Sequence, residues 1–155
     1  MISPELLRRY PFFGQFKNGQ LDVLAMLGEQ INFDEDQLVF EQGKPASSLF
    51  FLLDGCIDLY YTIPDATVPG GQKEIPVCEI NVGEPFGIST LIEPNMLTST
   101  ARSRGNSRAL SFSGDGLKKT FLEDPALELV MLRRISHTAI ERLYATRTQL
   151  AAAIT

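Results

Sequence analysis

The chain of 155 residues is long enough for one domain with a real core, and 44% hydrophobic with 21% charged residues is an ordinary globular balance. A net charge of −5 argues against a surface given over to nucleic acid, which needs clustered Lys and Arg, although it leaves room for a local patch. No apolar run reaches bilayer length, and Met1-Ile2-Ser3-Pro4-Glu5 lacks a basic-then-apolar leader, so the sequence predicts a cytoplasmic protein.

Residues 3–27 read as two short helices. Ser3 can cap the first and Pro4 fits its first turn, while Pro11 and Gly14 interrupt the pattern. The second helix carries Leu21, Leu24 and Leu27 on one face, and Gly28 can end it. From Ile31 the period becomes two, as in Ile31-Asn32-Phe33 and Leu38-Val39-Phe40-Glu41. Asp34-Glu35-Asp36 reads as a solvated turn. Leu49-Phe50-Phe51-Leu52-Leu53 is an apolar run that predicts a strand covered on both faces. Asp54-Gly55 predicts a hairpin turn with Cys56–Tyr61 as the partner strand. Lys73–Ile80 returns, with Ile75, Val77 and Glu79 on one face. Thr98–Ser103 and Arg108–Ser113 form a last pair around Gly105-Asn106. Cys56 and Cys78 predict free thiols in a reducing compartment, with a disulfide as the alternative. Strands in one block between helices imply a sandwich or barrel, hence an α+β, mainly β chain.

After Ser113 the chain turns helical again. Asp124-Pro125 is an N-cap followed by a first-turn proline, and it opens a long final helix. Leu132, Ser136, Ala139, Leu143, Thr146 and Leu150 recur at heptad-like spacing. Two readings stand open: packing on the helix's own domain, or a homodimer seam. Arg133, Arg134, Arg142 and Arg147 read as a solvated face.

The candidate site is Gly83-Glu84-Pro85-Phe86-Gly87-Ile88-Ser89-Thr90-Leu91, followed by Ser99-Thr100-Ala101-Arg102. A Gly-rich turn opening a short helix predicts an anion cradle of unpaired N–H groups at a positive dipole end. The expected pocket residues are Gly83, Glu84, Phe86, Gly87, Ile88, Ser89, Thr90, Ser99, Thr100 and Ala101. Serines and threonines at a helix start are more often plain caps than ligand contacts.

Leu6–Phe13 with Leu21, Leu24 and Ala25, Val39–Gly43 with Ser48–Gly55, and Val82–Gly87 together resemble the cyclic nucleotide-binding domain, the regulatory fold of the catabolite activator protein and of kinase regulatory subunits. The resemblance covers about residues 5–145 and implies a single domain over 1–155. In it, N-terminal helices (1–30) precede a jelly-roll-like β-roll, or double-stranded β-helix, of about eight strands (31–113). The roll holds a phosphate-binding cassette (82–97), and C-terminal helices follow (114–155). It also implies a non-catalytic sensor or adaptor in which a ligand shifts the helices from Gly114 onward.

The family's cassette continues Phe-Gly-Glu, the Glu binding the ribose, and places an Arg two residues before a small Ala to pair with the cyclic phosphate. Here Ile88 follows Gly87, and matching on Ala101 puts Ser99 at the Arg position. A bidentate Arg supplies two charge-assisted hydrogen bonds of about 1.5–3 kcal/mol each. Loss of both anchors should therefore weaken a cyclic nucleotide by several powers of ten. Arg102 and Arg104 point away from the Ser99-Ala101-Ser103 face on a regular strand; a bulge would swap the faces and permit a cAMP or cGMP sensor with a rearranged pocket. The expected occupant is otherwise a neutral or weakly anionic small ligand, or water.

A cupin-like metalloenzyme shares the barrel, but its metal needs several His ligands and the chain has one, His137. No catalytic residue, metal site or cofactor is predicted. A DNA-binding role would need a helix-turn-helix after the last helix, and the sequence stops at Thr155. Neither nucleic acid nor membrane is an expected partner.

Overall fold

The computed structural model describes residues 1–155. Helix α1 (Pro4–Arg8), a 3-10 turn at Pro11–Phe13 and helix α2 (Asn18–Leu27) open the chain. Ser3 Oγ accepts the Glu5 N–H at 3.2 Å, the cap expected of a serine before a first-turn proline.

The sheet comprises β1 (Glu29–Phe33), β2 (Leu38–Phe40), β3 (Ser48–Pro64), β4 (Gln72–Ile80), β5 (Pro85–Phe86) and β6 (Thr100–Ser113). Its path is β1-β6-β3-β4, with β2 on β6 and β5 on β3, every pair antiparallel. The expected hairpin at Asp54-Gly55 is absent. β3 runs through it and pairs with β6 on both sides, with register shifts between Leu52 and Asp54 and between Asp54 and Cys56. Gly55 adopts φ +93°, and a Cβ there would lie 2.3 Å from Ser107 Oγ. The glycine thus bends a strand against its partner instead of ending it. Gly105-Asn106 likewise lies inside β6, not between two strands. Counting the halves of β3 and β6 separately recovers the eight expected strands.

Alternation along β3 divides two cores. Leu49, Phe51 and Leu53 face a cluster with Leu7, Phe12, Phe13, Leu24, Leu110 and Phe112. Leu52, Ile57 and Leu59 face the roll interior with Phe33, Ile80, Phe86 and Ala109, against which Phe50 packs. The run at 49–53 is therefore covered on both faces, as its continuous apolarity requires. Phe13 and Phe51 lie 4.8 Å apart, and Phe50 stacks on Phe86 at 5.0 Å.

Helix α3 (Gly114–Glu123) is capped by Ser113, and helix α4 (Pro125–Ile154) by Asp124, whose carboxylate accepts the Leu127 N–H at 3.1 Å. Leu127, Met131 and Ile135 of α4 enter the helix-facing core. The stripe that reads as a seam lies on neighbouring phases. Ser136, Leu143 and Leu150 are exposed, whereas Ala139 and Thr146 turn toward the roll. Both open readings thus find a face: one side of α4 packs on its own domain and another is bare. No helix is long and apolar enough to cross a membrane.

Candidate functional site

A cavity of about 490 Å³ lies between the open side of the roll and α4. Phe40 of β2, Leu59 and Tyr61 of β3, and Ile75, Val77 and Cys78 of β4 form its largely apolar wall. Gly87, Ile88, Ser89, Leu97, Thr98 and Ser99 close one side, and Ala139, Arg142, Thr146 and Gln149 close it from α4. No aspartate or glutamate lines it.

The site grows from two local devices. Gly87 adopts φ +69°, and a Cβ there would sit 2.8 Å from the Ser48 carbonyl, so only glycine lets the chain turn this close to β3. On β4, register shifts between Leu59 and Tyr60: Cys78 opposes Leu59 and Pro76 opposes Tyr60, leaving Val77 as the extra residue of a bulge. Proline cannot donate to the ladder, so Pro76 marks the place where a bulge costs least. The bulge brings both Val77 and Cys78 to the cavity. It also corrects the expected face of Ile75, Val77 and Glu79: Glu79 turns out to solvent and pairs with Arg104 at 2.9 Å.

Of the expected pocket residues, Gly87, Ile88, Ser89 and Ser99 line the cavity. The other six brace it. Gly83 N–H donates to the Leu52 carbonyl at 2.9 Å, and the Glu84 carboxylate accepts the Asn81 N–H at 3.0 Å. Phe86 and Ala101 are core. Thr90 Oγ1 donates to the Ser48 carbonyl at 2.8 Å, and Thr100 Oγ1 accepts the Gln42 N–H at 3.1 Å. The predicted helix is a four-residue 3-10 turn, Ile88–Leu91, too short to sum a macrodipole. Thr98 and Ser99 both reach the cavity because β6 begins only at Thr100.

The sequence and fold comparisons point to one domain family. Residues 30–124 match the cyclic nucleotide-binding domain. The chain belongs to that family. A protein from Geobacter metallireducens, described as a candidate cyclic nucleotide-binding protein, is 31% identical with TM-score 0.79, over 92% of this chain and 99% of that one. The CRP-like cAMP-activated global transcriptional regulator of Mycobacterium tuberculosis is 23% identical over 95% of this chain, which spans only 61% of that relative. The regulatory subunit of a cAMP-independent protein kinase A from Trypanosoma brucei shares the fold at 17% identity and TM-score 0.67, over 86% of this chain and 45% of that one.

Within the family's frame, Ile88 and Ser99 sit in the cavity where the resemblance places the Glu and Arg anchors. Arg102 does not enter it: its guanidinium pairs with Glu74 at 3.3 Å and lies 6.0 Å from the Tyr60 ring. Arg104 is held outside by Asp58 and Glu79, and both carboxylates push its already high pKa further up. The cation of the cavity comes instead from α4. Arg142 donates to the Pro85 carbonyl, and burial pulls its pKa down from the usual arginine value. Beside it, burial pushes the Cys78 thiol up while Arg142 pulls it the other way. Cys56 and Cys78 are both free thiols.

The expectation that all four helix arginines are solvated therefore fails for Arg142, and Arg134 instead lies 5.4 Å from the Phe12 ring. The signal was in the spacing: Leu127, Met131, Ile135, Thr138 and Arg142 share one helix phase, the phase that is buried. His137 pairs with Glu141 at 2.9 Å on an exposed face of α4, away from the roll. No three His, Cys, Asp or Glu side chains gather as a metal site.

Proposed function

We propose that this chain is a non-catalytic sensor or adaptor domain whose cavity takes a small ligand other than a cyclic nucleotide. One observation carries the reading: Ile88 and Ser99 line the cavity, and no carboxylate does. A ribose hydroxyl has no carboxylate acceptor there. A cyclic phosphate has no arginine on the β6 side, where the family supplies one, and the cavity's own cation, Arg142 of α4, already donates to the Pro85 carbonyl. The fold leaves the ligand open, since relatives are named both for activation by cAMP and for independence of it.

The response is movement of α4. Ala139, Arg142, Thr146 and Gln149 touch the cavity, so an occupant contacts the helix directly. It shifts the helix only by its differential affinity for the two positions. The bare stripe of Leu143 and Leu150 would carry that shift to a second copy of the chain, in a dimer that native mass spectrometry would detect. No histidine lies near Ser89, Ser99 or Cys78 to serve as a base, which supports binding over catalysis.

Titration calorimetry of the full chain with cyclic AMP and cyclic GMP tests the reading. The expected result is no saturable binding at micromolar ligand. Micromolar or tighter binding of either overturns it.

A further inference from the structure

Arg142 is a cation facing an apolar cavity without a carboxylate. It makes no ion pair, and its hydrogen bond to the Pro85 carbonyl occupies one of five N–H groups. The remaining donors are not sealed in, because the one fully buried side-chain polar atom lacking a partner is Arg134 Nε. An arginine keeps its proton at every physiological pH, so its desolvation is offset only by an acceptor. A single carbonyl offsets part of it. The opposite wall, Phe40, Leu59, Ile75, Val77 and Leu97, offers contact to an apolar body, and the polar groups beside it, among them Ser89, Thr98, Ser99 and Gln149, are neutral.

Building on the sensor reading, we infer that the cavity binds an amphipathic monocarboxylate, its head group on Arg142 and its apolar body against the β-roll wall. The volume of about 490 Å³ suits such a molecule, as small-ligand sites run about 300–1,000 Å³. One guanidinium matches one negative charge and can meet a carboxylate with two parallel N–H groups. A phosphate monoester, with about −1.5 to −2 charges, would be left partly uncompensated. The head group competes with the Pro85 carbonyl for Arg142, so the ligand acts on the contact that ties α4 to the cassette turn.

The test uses the full chain, with 4-phenylbutyrate and its neutral counterpart 4-phenylbutan-1-ol, by calorimetry. The acid should bind more tightly than the alcohol. Arg142→Gln should weaken the acid by about ten- to a hundredfold and the alcohol far less, and Arg142→Lys should retain most of the preference. Thr146→Glu keeps Arg142 but sets a carboxylate one helical turn away, and it should reduce acid binding in the same direction. It decides the matter if Arg142→Gln disturbs the fold. Failure of the acid to bind, equal affinity for acid and alcohol, or indifference to both Arg142→Gln and Thr146→Glu overturns the inference and leaves the sensor reading standing. Micromolar cyclic nucleotide binding would instead overturn the sensor reading itself.

Discussion

The two halves of α4 belong to different parts of the molecule. From Pro125 to Thr138 the helix is anchored: Leu127, Met131 and Ile135 are at most 1% exposed and sit in the core with Phe12, Phe51 and Leu117. From Ala139 to Ile154 no residue is fully buried, Arg142 being half-buried at the cavity, and Leu143, Leu150 and Ile154 are 46%, 62% and 78% exposed. The second half touches the domain chiefly across the cavity. Hydrophobic packing fixes the first half, whereas the second is held by a few contacts around a space that can fill or empty. On the proposed sensor reading, a single continuous helix joins a fixed base to a lever that an occupant of the cavity would move.

The largest expected effect lies in the anchored half. Ile135→Ala should cost about 2–5 kcal/mol in urea unfolding, the range for emptying a closed core site, while Tyr144→Ala, 74% exposed, should stay within about 0.5 kcal/mol. Similar costs for the two would erase the distinction. Next comes the cavity. Ile88→Glu combined with Ser99→Arg restores both of the family's anchors, and cyclic AMP affinity should rise by at least about a hundredfold. No gain would mean that the cavity has lost the family's shape as well as its charges.

The smallest effect concerns Cys78. Burial raises its folded-state pKa above the ordinary thiol value of 9.0. The neutral thiol's contribution to stability is therefore fully present below that pH and is lost as pH climbs through the higher folded value. Cys78→Ala should flatten the alkaline decline in the urea midpoint. Native Cys78 should also react with iodoacetamide more slowly than the same thiol in urea.

Much of the scaffold was legible in the sequence because it rests on local rules. Ser3-Pro4 and Asp124-Pro125 mark helix starts by chemistry that needs no tertiary context. The apolar run at 49–53 announces a strand buried on both sides. Turns misled where glycine serves a bend: Gly55 reads as a hairpin, yet its positive φ lets β3 pass close to Ser107. The cavity was half legible. Gly87, Ile88, Ser89 and Ser99 are consecutive or matched by motif, so their neighbourhood shows in one dimension. Arg142 lies 57 residues from Pro85, and only packing brings it there. The Val77 bulge moved Cys78 into the cavity by breaking the period of two that sequence reading depends on.

Native-state hydrogen exchange along α4 tests the division of the helix most directly. Its amides share one hydrogen-bond pattern, so differences report tertiary support. The account predicts strong protection through Leu127–Thr138, much faster exchange from Ile140 onward, and added protection only in that second half when 4-phenylbutyrate is present. Uniform protection along the helix, or a ligand effect confined to the first half, would contradict it.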